Sequence, residues 1–158
     1  GECGAAFGSL RALDVGGELF TRAIDEMPVL CVLAARARGT TRLLDAGELR
    51  NKESDRLKAM ASLLGAFGVP CEEEADGLRV TGKPDGPLRA ADVSSFGDHR
   101  IAMSAALLAL CADGPSRIRG ADCIASSFPR FVGTLRAIGA RVSVSPGSLE
   151  EGMDKKHE

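Results

Sequence analysis

Apolar positions along this chain fall into two kinds of run. Met27 to Ala35 and Ile101 to Ala112 are apolar almost throughout, the second interrupted by Ser104. A helix without a polar face is buried on every side. Leu57, Met60, Ala61, Leu64 and Phe67, and later Phe128, Phe131, Val132, Leu135 and Ile138, recur instead at i, i+3, i+4, the mark of an amphipathic helix. The first apolar helix is expected from Asp25 to Arg38, with an acidic start, Pro28 in its first turn, arginines in its last and Gly39 as its stop. Asp98-His99-Arg100 opens the second and Gly114 stops it. Gly68 and Gly139 end the amphipathic pair, and Pro129 is placed in the first turn of the later one. Strands are predicted at Leu10 to Val15, Thr40 to Leu44 and Pro115 to Arg119. A hairpin joins Val69–Glu73 to Leu78–Thr81 over Ala75-Asp76-Gly77, where Asp-Gly is a turn signal.

The order of these elements repeats. Asp25 corresponds to Asp98, Gly39-Thr40-Thr41-Arg42 to Gly114-Pro115-Ser116-Arg117, and the segment 64–68 to 135–139, at offsets of about seventy residues. Units of about 20–81 and 93–145 each run apolar helix, strand, amphipathic helix, then strand or hairpin. One amphipathic helix and a small sheet cannot cover a helix that is apolar all round. A third unit, a partner or self-association of the piece is therefore expected against them. The tail 146–158, charged and without apolar period, is expected to be disordered. Because the chain begins at Gly1, without an initiating Met, it reads as a piece of a longer protein.

Composition narrows the function. The chain has 158 residues, enough for one domain, and a net charge of −2, which argues against a basic nucleic-acid surface. With 4% aromatic residues and no Trp or Tyr, it has no stacking platform for single strands. Cys3, Cys31, Cys71, Cys111 and Cys123 have no metal-ligand spacing and read as buried free thiols in a reducing cytoplasm. No apolar run is long enough to span a bilayer.

Local charge points to a small anion. Asn51-Lys52-Glu53-Ser54-Asp55-Arg56 precedes the first amphipathic stripe and is expected to form its first helical turn, with Lys52 and Arg56 on one side and Glu53 about 100° away. Two cations beside a helix N-terminus suit a phosphate or carboxylate. An ordinary solvated helix start, with Glu53 paired to Arg56, fits the same residues. If the polar helix starts of the repeat converge, Arg56 and Arg100 would grip an anion while Asp25, Glu53 and His99 move protons.

Four segments carry a resemblance: Asn-Lys-Glu-Ser-Asp-Arg (51–56), Gly-Asp-His-Arg-Ile-Ala-Met (97–103), Arg-Ala-Ile-Asp-Glu-Met-Pro (22–28) and Cys-Ile-Ala-Ser-Ser-Phe-Pro (123–129). In order and spacing the chain resembles the 5-enolpyruvylshikimate-3-phosphate synthases, the 3-phosphoshikimate 1-carboxyvinyltransferases of the shikimate pathway, over roughly residues 10–144. The resemblance implies an α/β fold of the enolpyruvyl transferase kind, an inside-out domain of helix-strand repeats around buried parallel helices. Residues 1–145 would hold about two of the three repeats of the C-terminal domain. It implies transfer of the enolpyruvyl group of phosphoenolpyruvate to the 5-hydroxyl of shikimate 3-phosphate, with no metal or organic cofactor and with an N-terminal domain as the missing wall of the cleft. Asp25 would hold the shikimate hydroxyls and take a proton, with Lys52 beside it. Glu53 would protonate the methylene carbon of phosphoenolpyruvate, Arg56 and Arg100 would bind its carboxylate and phosphate, and His99 would orient Glu53 or its neighbours.

Two positions depart from the family pattern. Ser126 stands where many members have a lysine, and Glu48 where some have an asparagine. The first reads as the mark of a subclass. Without its other wall the piece is expected to be inactive. The alternatives are a transferase acting on a UDP-amino sugar, which should lack the Lys-Glu-Ser-Asp-Arg and Asp-His-Arg pair, and a non-catalytic module of the same fold.

Overall fold

Two parallel strand pairs, each bridged by an apolar helix, form the frame of the computed structural model, which describes residues 8–145. The expected disordered tail and Cys3 lie outside the described residues. In the first unit β1 (Asp14–Val15) leads through α1 (Gly17–Arg22) and a 3-10 turn, Ile24–Glu26, into α2 (Met27–Arg36) and β2 (Thr40–Leu43). Asp14 lies opposite Arg42 and Val15 opposite Leu43. In the second, β5 (Asp92–Ser94), α4 (His99–Ala109) and β6 (Arg117–Arg119) repeat the arrangement, with Asp92 opposite Arg117. Between the units come a 3-10 turn, Gly47–Asn51, α3 (Arg56–Ala66), β3 (Cys71–Glu74) and β4 (Gly77–Thr81). The sheet order is β1-β2-β4-β3, its last two pairings antiparallel. After β6 follow a 3-10 turn, Ala121–Cys123, α5 (Ile124–Ser127) and α6 (Phe131–Ala137).

Local chemistry explains where these elements differ from the expectations. The strand expected over 10–15 keeps regular pairing only at its end, preceded by one isolated bridge between Arg11 and Arg38. The stripe from Phe128 to Ile138 is not one helix. Phe128 precedes Pro129, whose ring disfavours helical backbone in the residue before it, and Phe128 adopts φ −135°, ψ 76°. Pro129 therefore lies in the link between α5 and α6 rather than in a first turn, and Ile138 is left exposed.

The hairpin forms where Asp-Gly marks it, but the glycine serves another purpose. The loop is Ala75-Asp76, and Gly77 already pairs with Glu74 in the ladder. A Cβ on Gly77 would lie 2.1 Å from the carbonyl oxygen of Leu43, so close strand approach, rather than a left-handed backbone, requires glycine. The loop 82–87 is fastened to α2 by the Arg36 guanidinium, which donates to the carbonyls of Lys83, Pro84 and Gly86.

The core lies between the four-stranded sheet and helices α2, α3 and α4, with Met27, Leu43, Leu57, Leu64, Phe67, Leu78, Val80 and Ile101 at or near zero exposure. A smaller, separate cluster of Ala102, Ile124, Phe131 and Leu135 joins α5 and α6 to the opposite side of α4. The apolar helices are not buried all round. Val29 and Leu33, one turn apart on α2, are 38% and 46% exposed, and Leu110 just past α4 is 46% exposed. Of the described cysteines only Cys31 is fully buried; Cys71, Cys111 and Cys123 are half-buried. Burial pushes the Cys31 thiol up, and burial followed by the charges of Glu73 and Glu72 pushes Cys71 up to about 11. No helix among the described residues is long and apolar enough to cross a membrane.

Gly77→Ala is expected to destabilise the fold by about 1–3 kcal/mol, because the added methyl meets backbone rather than a flexible side chain. The midpoint of urea unfolding measures it, and an unchanged midpoint would show that β2 and β4 can separate freely.

Candidate functional site

Three helices begin at one place. Asp25 lies in the turn before α2, Arg56 is the first residue of α3, and Asp98 is the N-cap of α4. The side chains of these residues touch. Arg56 is only 1% exposed, an extreme degree of burial for an arginine, and its Nε donates to Asp98 Oδ2 at 2.8 Å. Its NH1 reaches Asp25 Oδ1 at 3.4 Å and its NH2 reaches Glu53 Oε2. Arg100 completes the group from the first turn of α4, donating from NH1 to the Asp25 carbonyl at 2.6 Å and pairing through NH2 with the Asp25 carboxylate at 3.4 Å.

The N-cap chemistry of aspartate sets this register. Asp55 accepts a hydrogen bond from the Lys58 N–H at 3.1 Å, so α3 starts at Arg56 and residues 52–55 are not helical. The expected first turn at 51–56 is thereby corrected. Lys52 and Glu53 lie on a bend ahead of the helix. Lys52 Nζ turns to Glu48 Oε1 at 2.6 Å, while Glu53 turns to Arg56. The Glu53–Arg56 pair that a solvated helix start would make is thus present, with its arginine buried.

Asp98 is the acid that sequence reasoning left out of the site. Fully buried, it accepts from Arg56, from the Arg100 N–H at 2.9 Å and from the Ser54 hydroxyl at 3.1 Å. Burial alone would raise its carboxyl. The bond from Arg56, the backbone bond from Arg100, the charge of Arg56 and the Ser54 hydroxyl outweigh that and hold it below the usual carboxylate range. An Asp before an apolar helix announces a cap, but no spacing announces that the same carboxylate receives a buried arginine 42 residues away.

His99 is half-buried and, among the described residues, its ring makes no hydrogen bond; the Glu53 carboxylate meets Arg56. Ser126 donates to the Cys123 carbonyl within its own turn and makes no hydrogen bond to the cluster. A groove lined by Ser9, Leu10, Arg11, Ala12 and Arg38 shares no residue with the cluster either. The cluster lies on an open edge, where Asp25 and Glu53 are each 51% exposed. Lys52, Arg56 and Arg100 are all engaged by the carboxylates of Glu48, Glu53, Asp25 and Asp98.

Solved structures share this architecture. An EPSP synthase from Acinetobacter baumannii superimposes with a TM-score of 0.82 at 34% identity, over 87% of this chain and 32% of that one. The enolpyruvyl transferase NikO from Streptomyces tendae does so with 0.67 at 28% identity, over 84% and 29%. The fold is therefore that of the enolpyruvyl transferases. The family model of EPSP synthase (3-phosphoshikimate 1-carboxyvinyltransferase) matches residues 7–135, and the chain belongs to that family. A 3-phosphoshikimate 1-carboxyvinyltransferase of Geobacter sulfurreducens is 47% identical over 133 residues, which are 84% of this chain and 30% of that protein. The chain thus spans about 30% of the length of the relative it matches.

Arg56→Ala would leave Asp98 charged, buried and unpaired, and is expected to cost about 3–5 kcal/mol in urea unfolding. A loss below about 1 kcal/mol would show that water replaces the guanidinium. The pH dependence follows from the depressed Asp98 carboxyl. A group lowered by folding contributes stability that is complete above its unfolded value and is lost as pH falls through the folded one. The difference in thermal midpoint between wild type and Asp98→Asn is therefore expected to be largest at neutral pH and to shrink below pH about 4. A difference independent of pH would remove Asp98 as a charged partner.

Proposed function

We propose that this chain is part of the C-terminal domain of a 3-phosphoshikimate 1-carboxyvinyltransferase and forms one wall of its cleft. The observation that carries the reading is the meeting of Asp25, Glu53, Arg56 and Arg100 around buried Asp98, in a member of the family whose motifs these residues occupy. The substrates are phosphoenolpyruvate and shikimate 3-phosphate. In the proposed reaction Glu53 gives a proton to the methylene carbon of phosphoenolpyruvate, making its central carbon electrophilic. The 5-hydroxyl of shikimate 3-phosphate attacks that carbon as Asp25 takes its proton, and the tetrahedral adduct then loses phosphate from its central carbon and a proton from its methyl group to the ionised Glu53, which restores the methylene double bond.

Each role has a supporting observation. Arg100 is the arginine of the pair open to a ligand, 31% exposed at the side chain and held mainly by Asp25. Arg56 is anchored through Nε to Asp98, so its NH1 and NH2 face the two exposed carboxylates whose places a ligand carboxylate would take. Lys52 lies one residue from Glu53 and supplies a further cation. For His99 the support is position alone, between Asp98 and Arg100 at the head of α4. Glu53 is half-exposed here, and proton transfer to carbon needs a site that excludes water, so this step belongs to a covered cleft. The other wall brings that cover and the extra cations an anion needs.

Two outcomes follow. The isolated chain is expected to release no phosphate from the two substrates at an enzyme-like rate, and such release would refute the one-wall reading. In the presence of both walls, Arg100→Ala is expected to weaken phosphoenolpyruvate binding by about 1.5–3 kcal/mol, the worth of a charge-assisted contact, and unchanged affinity would take Arg100 out of the site. A backbone NMR titration of the chain with phosphoenolpyruvate, against inorganic phosphate, separates the reading from a non-catalytic module: selective shifts at Arg56 and Arg100 support the first.

A further inference from the structure

Residues 51–54 carry Lys52 and Glu53 to the cluster without regular secondary structure beyond Asn51, and one side chain outside the proposed site closes this loop. Arg50 lies at its start, in the 3-10 turn, and Asp55 at its end. The Arg50 NH1 reaches Asp55 Oδ2 at 3.1 Å and Oδ1 at 3.4 Å, so the two ends are tied across the four intervening residues. The same NH1 pairs with Glu73 of β3 at 2.6 Å. NH2 donates to the carbonyls of Glu74 at 2.9 Å and Ala75 at 3.3 Å, and Nε to the Ala75 carbonyl at 3.4 Å. One guanidinium thus fastens the loop to itself and to the tip of the β3–β4 hairpin.

The hairpin holds the loop from a second point. The Ala46 N–H donates to the Asp76 carbonyl at 3.1 Å, and a Cβ on Gly47 would meet Asp76 Oδ1 at 2.6 Å. Asp55 is also the N-cap that fixes where α3 begins, and so where Arg56 lies. The chain is therefore seated on the turn at Ala46 and at Arg50, and Arg50 in turn holds Asp55, with Lys52, Glu53 and Ser54 on the span between.

We propose that Arg50 is a positioning residue for Lys52 and Glu53. Its side chain bonds to Asp55, Glu73, Glu74 and Ala75 and to none of Asp25, Glu53, Arg56 and Arg100. By closing the 51–54 loop and seating it on the β3–β4 turn, it holds Glu53 within reach of Arg56 and Lys52 within reach of Glu48 before any ligand arrives. Lysine cannot replace it, since one amine does not serve two carboxylates and two carbonyls together. The inference rests on the proposed function for its meaning and on the geometry for its existence.

Backbone NMR relaxation on this chain tests it. In Arg50→Gln the order parameters of residues 52–54 are expected to fall below about 0.6, while those of α4 stay near about 0.85. Arg50→Lys, which keeps an ion pair, should restore part of the order. Glu73→Gln, which leaves Arg50 and Asp55 in place, should loosen the loop by less and serves if Arg50→Gln does not fold. Unchanged order at 52–54, or an equal loss in α4, overturns the proposal, because the first denies the tie and the second makes Arg50 a general stabiliser. Phosphoenolpyruvate titrations of wild type and Arg50→Gln separate this inference from the functional reading. A response at Lys52 that Arg50→Gln loses while Arg100 still responds upholds both. A loosened loop in Arg50→Gln with no ligand response in wild type overturns the function and leaves the positioning role standing.

Discussion

The ion pair between Arg56 and Asp98 is the contact on which the rest of this chain depends. Both groups are almost wholly removed from water, which is costly for each alone and tolerable only because each receives several directed bonds. Asp98 is at once the cap of α4, the acceptor for Ser54 and the counter-ion of Arg56. The pair fixes the relative position of two helix starts, one from each repeating unit. Asp25 and Arg100 then join the same group from the turn before α2 and from α4, and three helix beginnings become one constellation.

The wider fold serves this junction. The core beneath it is a layer of Leu, Met, Phe and Val between the four-stranded sheet and three helices, and it leaves little freedom to the backbone that delivers the charges. The cluster is also internally neutralised, since each of its cations is engaged by a carboxylate of the same group. Such an arrangement presents no free positive field. Proposed anion binding is then an exchange of partners, carboxylates of the protein giving way to those of the substrate.

Much of this was legible in the sequence, and the parts that were not share a cause. Apolar runs and glycine stops located α2, α3, α4 and the hairpin, because periodicity and turn chemistry are local properties. The motifs pointed to Asp25, Glu53, Arg56 and Arg100, and the structure brings those four together. The start of α3 was misread, since Asn51, Ser54 and Asp55 are all competent caps and only the bond to Lys58 chooses among them. The split at Pro129 was announced by the proline but read as a helix start. Strand β5 and helix α1, of three and six residues, are too short to impose a period. Asp98 and Arg50 were passed over for a deeper reason: their partners are remote in sequence or belong to the backbone, where no pattern of residue types records them.

The two separate apolar clusters divide the chain into parts that answer differently to sequence change. The segment α5–α6 is tied to α4 by a cluster in which Ile124, Phe131 and Leu135 pack on Ala102, distinct from the main core and from the Arg56 junction. Ser126 sits on that segment, bonded only within its own turn. A substitution there alters what the segment offers to a neighbour without propagating strain into the buried ion pair. Such a position is a natural place for related proteins to diverge, since novelty can be tried at the margin while the junction that orders the helices stays untouched.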